Sequence, residues 1–311
     1  MLRPDMRGPV TGRIPGKAPA FARSQETSSF APPVGSLAGG MVLRRLLFVV
    51  LVVSSCTPSG RSAAGPSQRI VSLLPSFTEI LFDIGAGDRV VGRTQWCDYP
   101  PAALAVPSVG EGLPPNIEAV AARRPDLVVL YNAGPNATAA KQLERLGIRT
   151  VLIDLNRLED LGPAARTLGK LTGREQQAES LATAMDGLAA RPPPSATTSL
   201  AFVVWDNPPI IIGHGSYLDQ LAAQAGARNV FGDITAPSAQ VALETIVARD
   251  PQWIAVLSDS AAPPGFAKRR EWRAVRAVRE GHFLFLKGSL FGRPGPRSDE
   301  AIRQFRALLA R

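Results

Sequence analysis

Two stretches of this 311-residue chain repeat one another. NIEAVAARRPDLVVL occupies positions 116–130 and ALETIVARDPQWIAV occupies 242–256, and each joins a helix-like run to a strand-like run through a proline. The offset aligns Glu118 with Glu244 and Pro125 with Pro251. Solenoid repeats recur every ~20–50 residues. The spacing from Glu118 to Glu244 is much longer than this, which excludes a solenoid. It predicts two similar lobes, each built around the same helix–strand unit.

Strand-like apolar runs alternate with helix-like runs on both sides of a long helical segment at 158–190. This alternation is typical of α/β units with a mostly parallel sheet. We therefore predict an α/β fold with two Rossmann-like lobes, at 68–157 and 191–311, joined by a single long helix whose periodicity is interrupted around Gly169–Gly173. Ligands of open α/β sheets bind beyond the carboxyl ends of the strands, so we expect a ligand cleft between the lobes.

The stretch MVLRRLLFVVLVVSSC, which begins at Met41, has the order of a secretory signal. Two arginines precede an apolar run that is too short to span a bilayer, and the VSSC ending resembles a bacterial lipoprotein cleavage site. The protein is therefore expected to be extracytoplasmic and lipid-anchored to a membrane, in the periplasm or at the cell surface. The expected segments are a non-native upstream extension at 1–40, a lipoprotein signal peptide at 41–55, lipidation at Cys56 and a flexible tether at 56–67.

The positive charge of the chain is concentrated in this leader. The whole chain has 35 Lys and Arg and 26 Asp and Glu, a formal charge of +9, of which residues 1–55 hold seven and two. The remaining charge of +4 does not support nucleic-acid binding, which needs a dense basic face. The basic run at 268–280 is interpreted as a solvated helix face. With Cys56 lipidated, Cys97 has no partner within the chain, which excludes an intramolecular disulfide.

The sequence contains none of the common catalytic motifs. It has no G-x-S-x-G elbow, no H-E-x-x-H, no C-x-x-C and no Walker loop. Its two histidines, His214 and His282, are too few for a three-histidine metal site. We therefore predict a protein that is not an enzyme and has no metal site or cofactor of its own, and an extracytoplasmic enzyme that acts on a metal chelate remains the alternative from another class.

Aromatic residues make up only 6% of the chain, and several directly follow strand-like runs. Loops at strand ends should converge on the cleft, where flat rings suit a large and partly apolar ligand. The aromatic residues in such positions are Phe77, Trp96, Tyr131, Trp205 and Phe291. Next to the first of them, Ser76 and Glu79 have the spacing of a capping box at a helix start.

Five segments, in order, resemble the periplasmic substrate-binding proteins of ABC importers for cobalamin, haem and iron–siderophores, and the cobalamin-binding members in particular. These segments are RIVSLLPSFTEILFDIGAGDRVVG, WCDYPP, NIEAVAARRPDLVVL, LERLGIRTVLID and GRPGPR. The resemblance covers residues 68–311. It implies two α/β lobes joined by one rigid helix, and a monomer that captures a small metal-chelate ligand between the lobes and delivers it to an ABC permease dimer.

The resemblance also implies ligand-binding positions. Trp96, Tyr131 and Trp205 match pocket aromatics of the cobalamin-binding members, and Leu290, Phe291 and Arg293 match the last ligand-facing loop. Two departures are present. A pocket tryptophan of those members is replaced within GEGLPP at 110–115, and their disulfide cysteines have no counterparts.

Glu118 and Glu244 match two surface glutamates, one per lobe, that are implied to dock onto arginines of the permease dimer. Complementary rim charge would set the register of such a contact. The alternative is that each carboxylate only favours its helix N-terminus through the dipole. Asn116 can cap the first of these helices, but Ala242 occupies the equivalent place in the second.

The expected ligand is a cobalamin-like corrinoid, and two other ligand classes of the family stay open. Haem would need an axial ligand in the cleft, for which Tyr131 or Tyr99 is available. A ferric siderophore would favour cleft arginines, for which Arg93, Arg293 and Arg297 are the candidates.

Overall fold

A four-stranded parallel sheet forms the centre of the first lobe in the computed structural model, which describes residues 65–310. The residues 127–130 of its third strand are completely buried, as expected for a parallel strand that is covered on both faces. The strands are β1 (Ile70–Ser72), β2 (Val90–Arg93), β3 (Leu127–Tyr131) and β4 (Arg149–Ile153), and the helices are α1 (Pro75–Asp83), α2 (Ile117–Ala121) and α3 (Gly134–Arg145). The order in the sheet is β2-β1-β3-β4, and every neighbouring pair is parallel.

The predicted leader lies outside the described residues, as do the upstream extension and Cys56. The end of the predicted tether lies inside them. Ser67 is buried and its N–H donates to the carbonyl of Leu171 at 2.9 Å. The chain is thus already packed at Ser67, one residue before the predicted start of the lobe. Within residues 65–310, no helix has the length and apolar character of a membrane span.

The segment predicted as a single linking helix forms two helices, α4 (Leu161–Thr172) and α5 (Glu175–Ala189). Gly173 adopts a left-handed conformation with φ 64°, which a residue without Cβ adopts at no steric cost, and this reverses the chain. The two helices pack side by side and closely: a Cβ at Gly169 would lie only 2.4 Å from the Cβ of Ala178. The link between the lobes is therefore a helical hairpin.

This hairpin contacts both lobes. At its far end, Arg89 of the first lobe donates to the carbonyl of Thr172. Just before α4, in the same linking segment, Leu158 donates its N–H to Gln220 of the second lobe at 2.8 Å. The linking segment consequently acts as a brace between the two lobes.

The second lobe has a six-stranded mixed sheet. Its parallel part pairs β10 with β9, β9 with β5, and β5 with β7, while β6 and β8 continue the sheet antiparallel. The strands are β5 (Thr198–Asp206), β6 (Pro209–Ile212), β7 (Ala227–Asn229), β8 (Ser238–Gln240), β9 (Trp253–Leu257) and β10 (Phe283–Leu286). The helices are α6 (Tyr217–Ala225), α7 (Leu243–Arg249), α8 (Arg276–Glu280), α9 (Gly288–Phe291) and α10 (Ser298–Leu309).

The sequence repeat corresponds to a structural repeat. In each lobe a short helix, α2 or α7, leads into a buried parallel strand, β3 or β9. The repeat extends to the backbone, because Arg124 and the aligned Asp250 both adopt a left-handed φ, 47° and 43°. The two-lobed α/β architecture predicted from the repeat is confirmed.

One hydrophobic core continues through both lobes and the hairpin. Phe305 of α10 makes edge contacts with Phe202 of β5 and Phe291 of α9, at centroid distances of 6.3 and 5.8 Å. Phe77 of α1 and Leu168 of α4 belong to the same cluster. The apolar surface between the lobes is therefore shared, and the lobes are not independent hydrophobic units.

Candidate functional site

The first of two adjacent cavities lies between the lobes, at the carboxyl ends of the strands of the first sheet. Its volume is about 420 Å³, and the second lobe contributes only the short segment 292–294 to its wall. The lining residues are Leu73, Leu74, Pro75, Ser76, Trp96, Glu111, Gly112, Leu113, Tyr131, Asn136, Leu155, Gly292, Arg293 and Pro294. This placement is the one expected for ligand sites of open α/β sheets.

The second cavity, of about 460 Å³, lies at the carboxyl ends of β5 and β9 in the second lobe. Trp205, Leu257, Phe266 and Arg269 are among the residues that line it. The two cavities adjoin, because a Cβ at Gly292 in the first would lie 3.7 Å from Leu257 Cδ1 in the second. We name the pair of cavities the cleft.

Two tryptophans expose their rings to the cleft, one from each lobe. Trp96 of the first lobe is 54% exposed and Trp205 of the second lobe is 57% exposed. The Trp205 indole N–H is satisfied by the carbonyl of Asn207 at 2.9 Å, so its ring face is the part left for a ligand. A ligand that covers these rings would gain apolar contact area with little loss of side-chain entropy.

Tyr131 lines the first cavity as a neutral hydrogen-bond donor. Its hydroxyl donates to Oδ1 of Asn156. Burial raises the pKa of the Tyr131 phenol, and the nearby Asp154 carboxylate raises this pKa further. Tyr131 is therefore a neutral phenol in the ligand-free protein.

Arg293 lines the first cavity and pairs with a carboxylate of the opposite lobe. Its Nη1 donates to Oδ1 of Asp98, and its Nη2 lies 3.4 Å from Oδ2. In the second cavity, Arg269 Nη2 lies 2.5 Å from Asp206 Oδ2. Both cleft arginines are thus already neutralised by neighbouring carboxylates. Glu111, which also lines the first cavity, forms no ion pair with the residues that the structure describes.

Three residues predicted to line the ligand site belong to the core instead. Phe77, Leu290 and Phe291 are 0%, 4% and 2% exposed, and none of them lines either cavity. A position after a strand brings the backbone to the cleft, but a helix that begins there turns some side chains inward. Phe77 lies in the first turn of α1, and the other two end α9. The prediction for these three residues is wrong for this physical reason.

The capping box predicted for α1 is also wrong. The helix begins at Pro75, whose restricted φ suits the first helical position, so Ser76 lies inside the first turn and no side chain caps it. Glu79 points into the protein and pairs with Arg297.

Three of the residues predicted from sequence as candidates for haem or siderophore binding make contacts away from the cleft. Arg93 donates to the carbonyls of Ala103, Thr94 and Leu104. Tyr99 lies under the guanidinium of Arg297, with 4.0 Å between the ring centroid and Cζ. None of Arg93, Tyr99 and Arg297 lines either cavity. Of the five candidates for haem or siderophore binding, only Tyr131 and Arg293 lie at the cleft.

Several cleft residues were missed by sequence reasoning. Leu113 is half exposed and lines the first cavity. It belongs to the segment 110–115, which replaces a pocket tryptophan of the cobalamin-binding proteins, and this position could have identified it as a cleft residue. Arg269 belongs to the basic run interpreted as a solvated helix face, and nothing in the run itself marks its contact with Asp206. Cys97 is buried and contacts the hydroxyls of Thr78 and Thr94 at 3.2 and 3.1 Å rather than the cleft.

Glu118 and Glu244 occupy equivalent exposed positions, each the second residue of its helix. Asn116 caps α2 by accepting from the Ala119 N–H at 2.9 Å, whereas Ala242 provides no side-chain cap to α7. The capping difference predicted from sequence is confirmed. Because Glu244 lies in the uncapped helix and Glu118 in the capped one, a capping requirement does not explain why both helices have glutamate.

The described residues contain no cluster of three or more His, Cys, Asp or Glu side chains able to hold a metal ion. His214 contacts only one carboxylate, that of Asp219, at 3.0 Å from Nδ1. The cleft offers exposed aromatic rings, the Tyr131 hydroxyl and the Glu111 carboxylate to a ligand.

Comparison with known proteins agrees with this geometry. A vitamin B12-binding protein of Vibrio vulnificus is 27% identical over 249 residues, which cover 78% of this chain and 89% of that protein. The structure of the periplasmic vitamin B12-binding protein of Vibrio cholerae matches with a TM-score of 0.63 at 25% identity, over 79% of this chain and 97% of its own. A periplasmic haem-binding protein of Pseudomonas aeruginosa matches with a TM-score of 0.65 at 26% identity, over 78% and 92%.

The family model described as periplasmic binding protein matches residues 70–290, from the first residue of β1 to the middle of α9. This range includes the first lobe from β1 onward, the helical hairpin, the second lobe as far as α9, and both exposed tryptophans. The chain belongs to the periplasmic binding protein family.

Proposed function

We propose that this protein captures a cobalamin-like corrinoid in the cleft and delivers it to the permease of an ABC importer. The observation that carries the proposal is the pair of exposed rings, Trp96 and Trp205, which reach the cleft from opposite lobes. A large and partly apolar macrocycle can contact both at once. The similarity to vitamin B12-binding proteins supports the same class of ligand.

The charge of the cleft favours a ligand with neutral amides over a ligand with carboxylates. Arg293 and Arg269 are neutralised by Asp98 and Asp206, and Glu111 adds a negative charge. The periphery of a corrin has neutral amides, whereas haem has two carboxylates that would approach this wall with unfavourable charge. Neutral hydrogen-bonding groups such as the Tyr131 hydroxyl suit the amides.

Calorimetric titration of protein lacking residues 1–56 with cyanocobalamin, haem and several ferric siderophores tests the proposal. We expect saturable heat with cyanocobalamin and weaker or no heat with the others. If cyanocobalamin produces neither heat nor a thermal shift, the corrinoid assignment is overturned.

Haem is the second candidate, because Tyr131 lies at the cleft and a haem-binding protein has the same fold. Its binding through Tyr131 would require loss of a proton whose pKa is raised. A haem absorption spectrum that changes on addition of protein, and that reverts with Tyr131→Phe, would favour haem. A ferric siderophore would depend on Arg293 and would lose affinity in Arg293→Gln.

We further propose that Glu118 and Glu244 dock onto the two halves of the permease dimer. Their support is their equivalence, since a pseudo-two-fold protein presents the same charge to each half of a two-fold partner. Membrane attachment through lipid on Cys56 and a monomeric state complete the proposal. Mass spectrometry of the membrane-extracted protein tests the anchor, and sedimentation tests the monomer.

An enzyme that acts on a metal chelate is the alternative of another class. It is disfavoured because the cleft residues lack a nucleophile next to a base. Turnover of cyanocobalamin or of a ferric chelate by the purified protein would overturn the assignment as a binding protein.

A further inference from the structure

A buried ion pair connects the two lobes beneath the cleft. Glu79 belongs to α1 of the first lobe, and its side chain is 3% exposed, while Arg297 immediately precedes α10 of the second lobe and is 18% exposed. Arg297 Nε lies 2.9 Å from Glu79 Oε2 and Nη2 lies 2.6 Å from Oε1. This is a two-point guanidinium–carboxylate contact, which fixes orientation as well as distance.

The guanidinium of Arg297 is held from both lobes. Besides Glu79, the ring of Tyr99 in the first lobe lies against it at 4.0 Å. From the second lobe, the carbonyl of Ser289 accepts from Nη2 at 2.7 Å. The guanidinium charge of Arg297 is thus paired with a carboxylate and also hydrogen-bonded to a carbonyl, as a buried charge requires.

The segment between Gly292 and Arg297 connects this pair to the cleft. Gly292, Arg293 and Pro294 line the first cavity, and Arg293 is tied to Asp98 of the first lobe. Four residues later, Arg297 is tied to Glu79. A wall of the cavity that belongs to the second lobe is therefore attached at both ends to carboxylates of the first lobe.

The closeness of α1 supports the same geometry. Pro75 and Ser76, in the first turn of α1, line the cavity, and Glu79 follows one turn below them. A Cβ at Gly295 would lie 3.6 Å from Glu79 Oε2. The carboxylate of Glu79 thus lies directly under the 292–297 segment.

We propose that Glu79 and Arg297 form an inter-lobe lock that positions the 292–297 segment as a preformed wall of the ligand cavity. Arg297 and Glu79 are positioning residues, since neither lines the cavity. The lock predicts that the 292–297 segment of the free protein already has its ligand-bound position. The part of the inference that concerns ligand affinity rests on the proposed function, and the part that concerns the wall does not.

Hydrogen–deuterium exchange of the ligand-free protein tests the lock. Arg297→Met should accelerate amide exchange at 289–297 and at 75–82 by at least ~10-fold, and leave β9 unchanged. Arg276→Met is the matched control, because Arg276 forms an exposed ion pair with Asp250. It should leave exchange at 289–297 unchanged. A purely structural role would accelerate exchange throughout the protein, and that result, or no acceleration in 289–297, would overturn the proposal.

A second variant keeps the test decisive if Arg297→Met does not fold. The double variant Glu79→Gln with Arg297→Gln removes both charges and retains hydrogen-bonding groups, and it should show the same local acceleration. In wild type, cyanocobalamin should leave exchange at 289–297 nearly unchanged, because the wall is preformed. Large protection of this segment on binding would contradict the lock. If wild type binds no cyanocobalamin, the proposed function fails, whereas the ligand-free exchange data still decide the lock.

Discussion

Removal of the Trp96 ring should weaken ligand binding while leaving the folded state intact. A tryptophan side chain presents up to ~250 Å² of surface, so an exposed fraction of 54% leaves about 135 Å². If a ligand covers about half of this, ~70 Å², the lost burial at ~25 cal/mol per Å² is about 1.7 kcal/mol. We therefore expect Trp96→Ala to raise the Kd for cyanocobalamin about 15- to 20-fold, since 1.4 kcal/mol corresponds to tenfold.

Calorimetric titration measures this change, and a thermal unfolding curve shows whether the variant is still folded. The melting temperature should remain close to that of wild type, because the ring contributes little to the buried core. Leu146→Ala is the matched control, since Leu146 is 60% exposed at the end of α3 and does not line the cleft. A change of less than ~3-fold for Trp96→Ala, or an equal loss for Leu146→Ala, would refute the reasoning.

Three further predictions concern other parts of the molecule. Glu118→Lys with Glu244→Lys should abolish uptake by cells and leave cyanocobalamin binding unchanged, and impaired binding would instead indicate a structural role. Cys97 should resist a thiol reagent in the native protein and react fully in denaturant, because it is buried; rapid native labelling would contradict this. Burial raises the pKa of the Tyr217 phenol. The unfolded chain therefore ionises first, and the contribution of Tyr217 to stability is complete below pH ~10 and is lost as pH rises further. Chemical denaturation across pH 9–11.5 should show a shallower decline for Tyr217→Phe, and an equal decline would contradict the prediction.

Much of the fold could be predicted because the signals are local. The proline-ended helix and the buried strand of each repeat unit are encoded within 15 residues, so the two lobes were identifiable without tertiary information. The hairpin was harder to predict. Helical periodicity continues on both sides of Gly173, and only tertiary contacts, such as the ion pairs of Arg166 with Glu179 and Asp186, show that the second helix folds back on the first.

The candidate site could be predicted in part. Trp96 lies in a turn after β2 and Trp205 lies near the end of β5, and both reach the cleft, whereas Phe77 follows a strand but enters a helix at once. A strand-end position locates the backbone, and side-chain direction depends on the local conformation that follows. The same reasoning explains why Leu290 and Phe291 pack inward while Arg293, just beyond α9, lines the cavity.

The sequence by itself determined the α/β alternation, the duplication and the scarcity of catalytic motifs, because each depends on residue types within a short window or on comparison of two such windows. Only the tertiary structure decided which of the predicted positions face the cleft and which charges are already paired. The contact of Arg297 with Glu79 joins residues 218 positions apart. No local pattern specifies such a partner, because the pairing is created when the lobes and the hairpin close around one core.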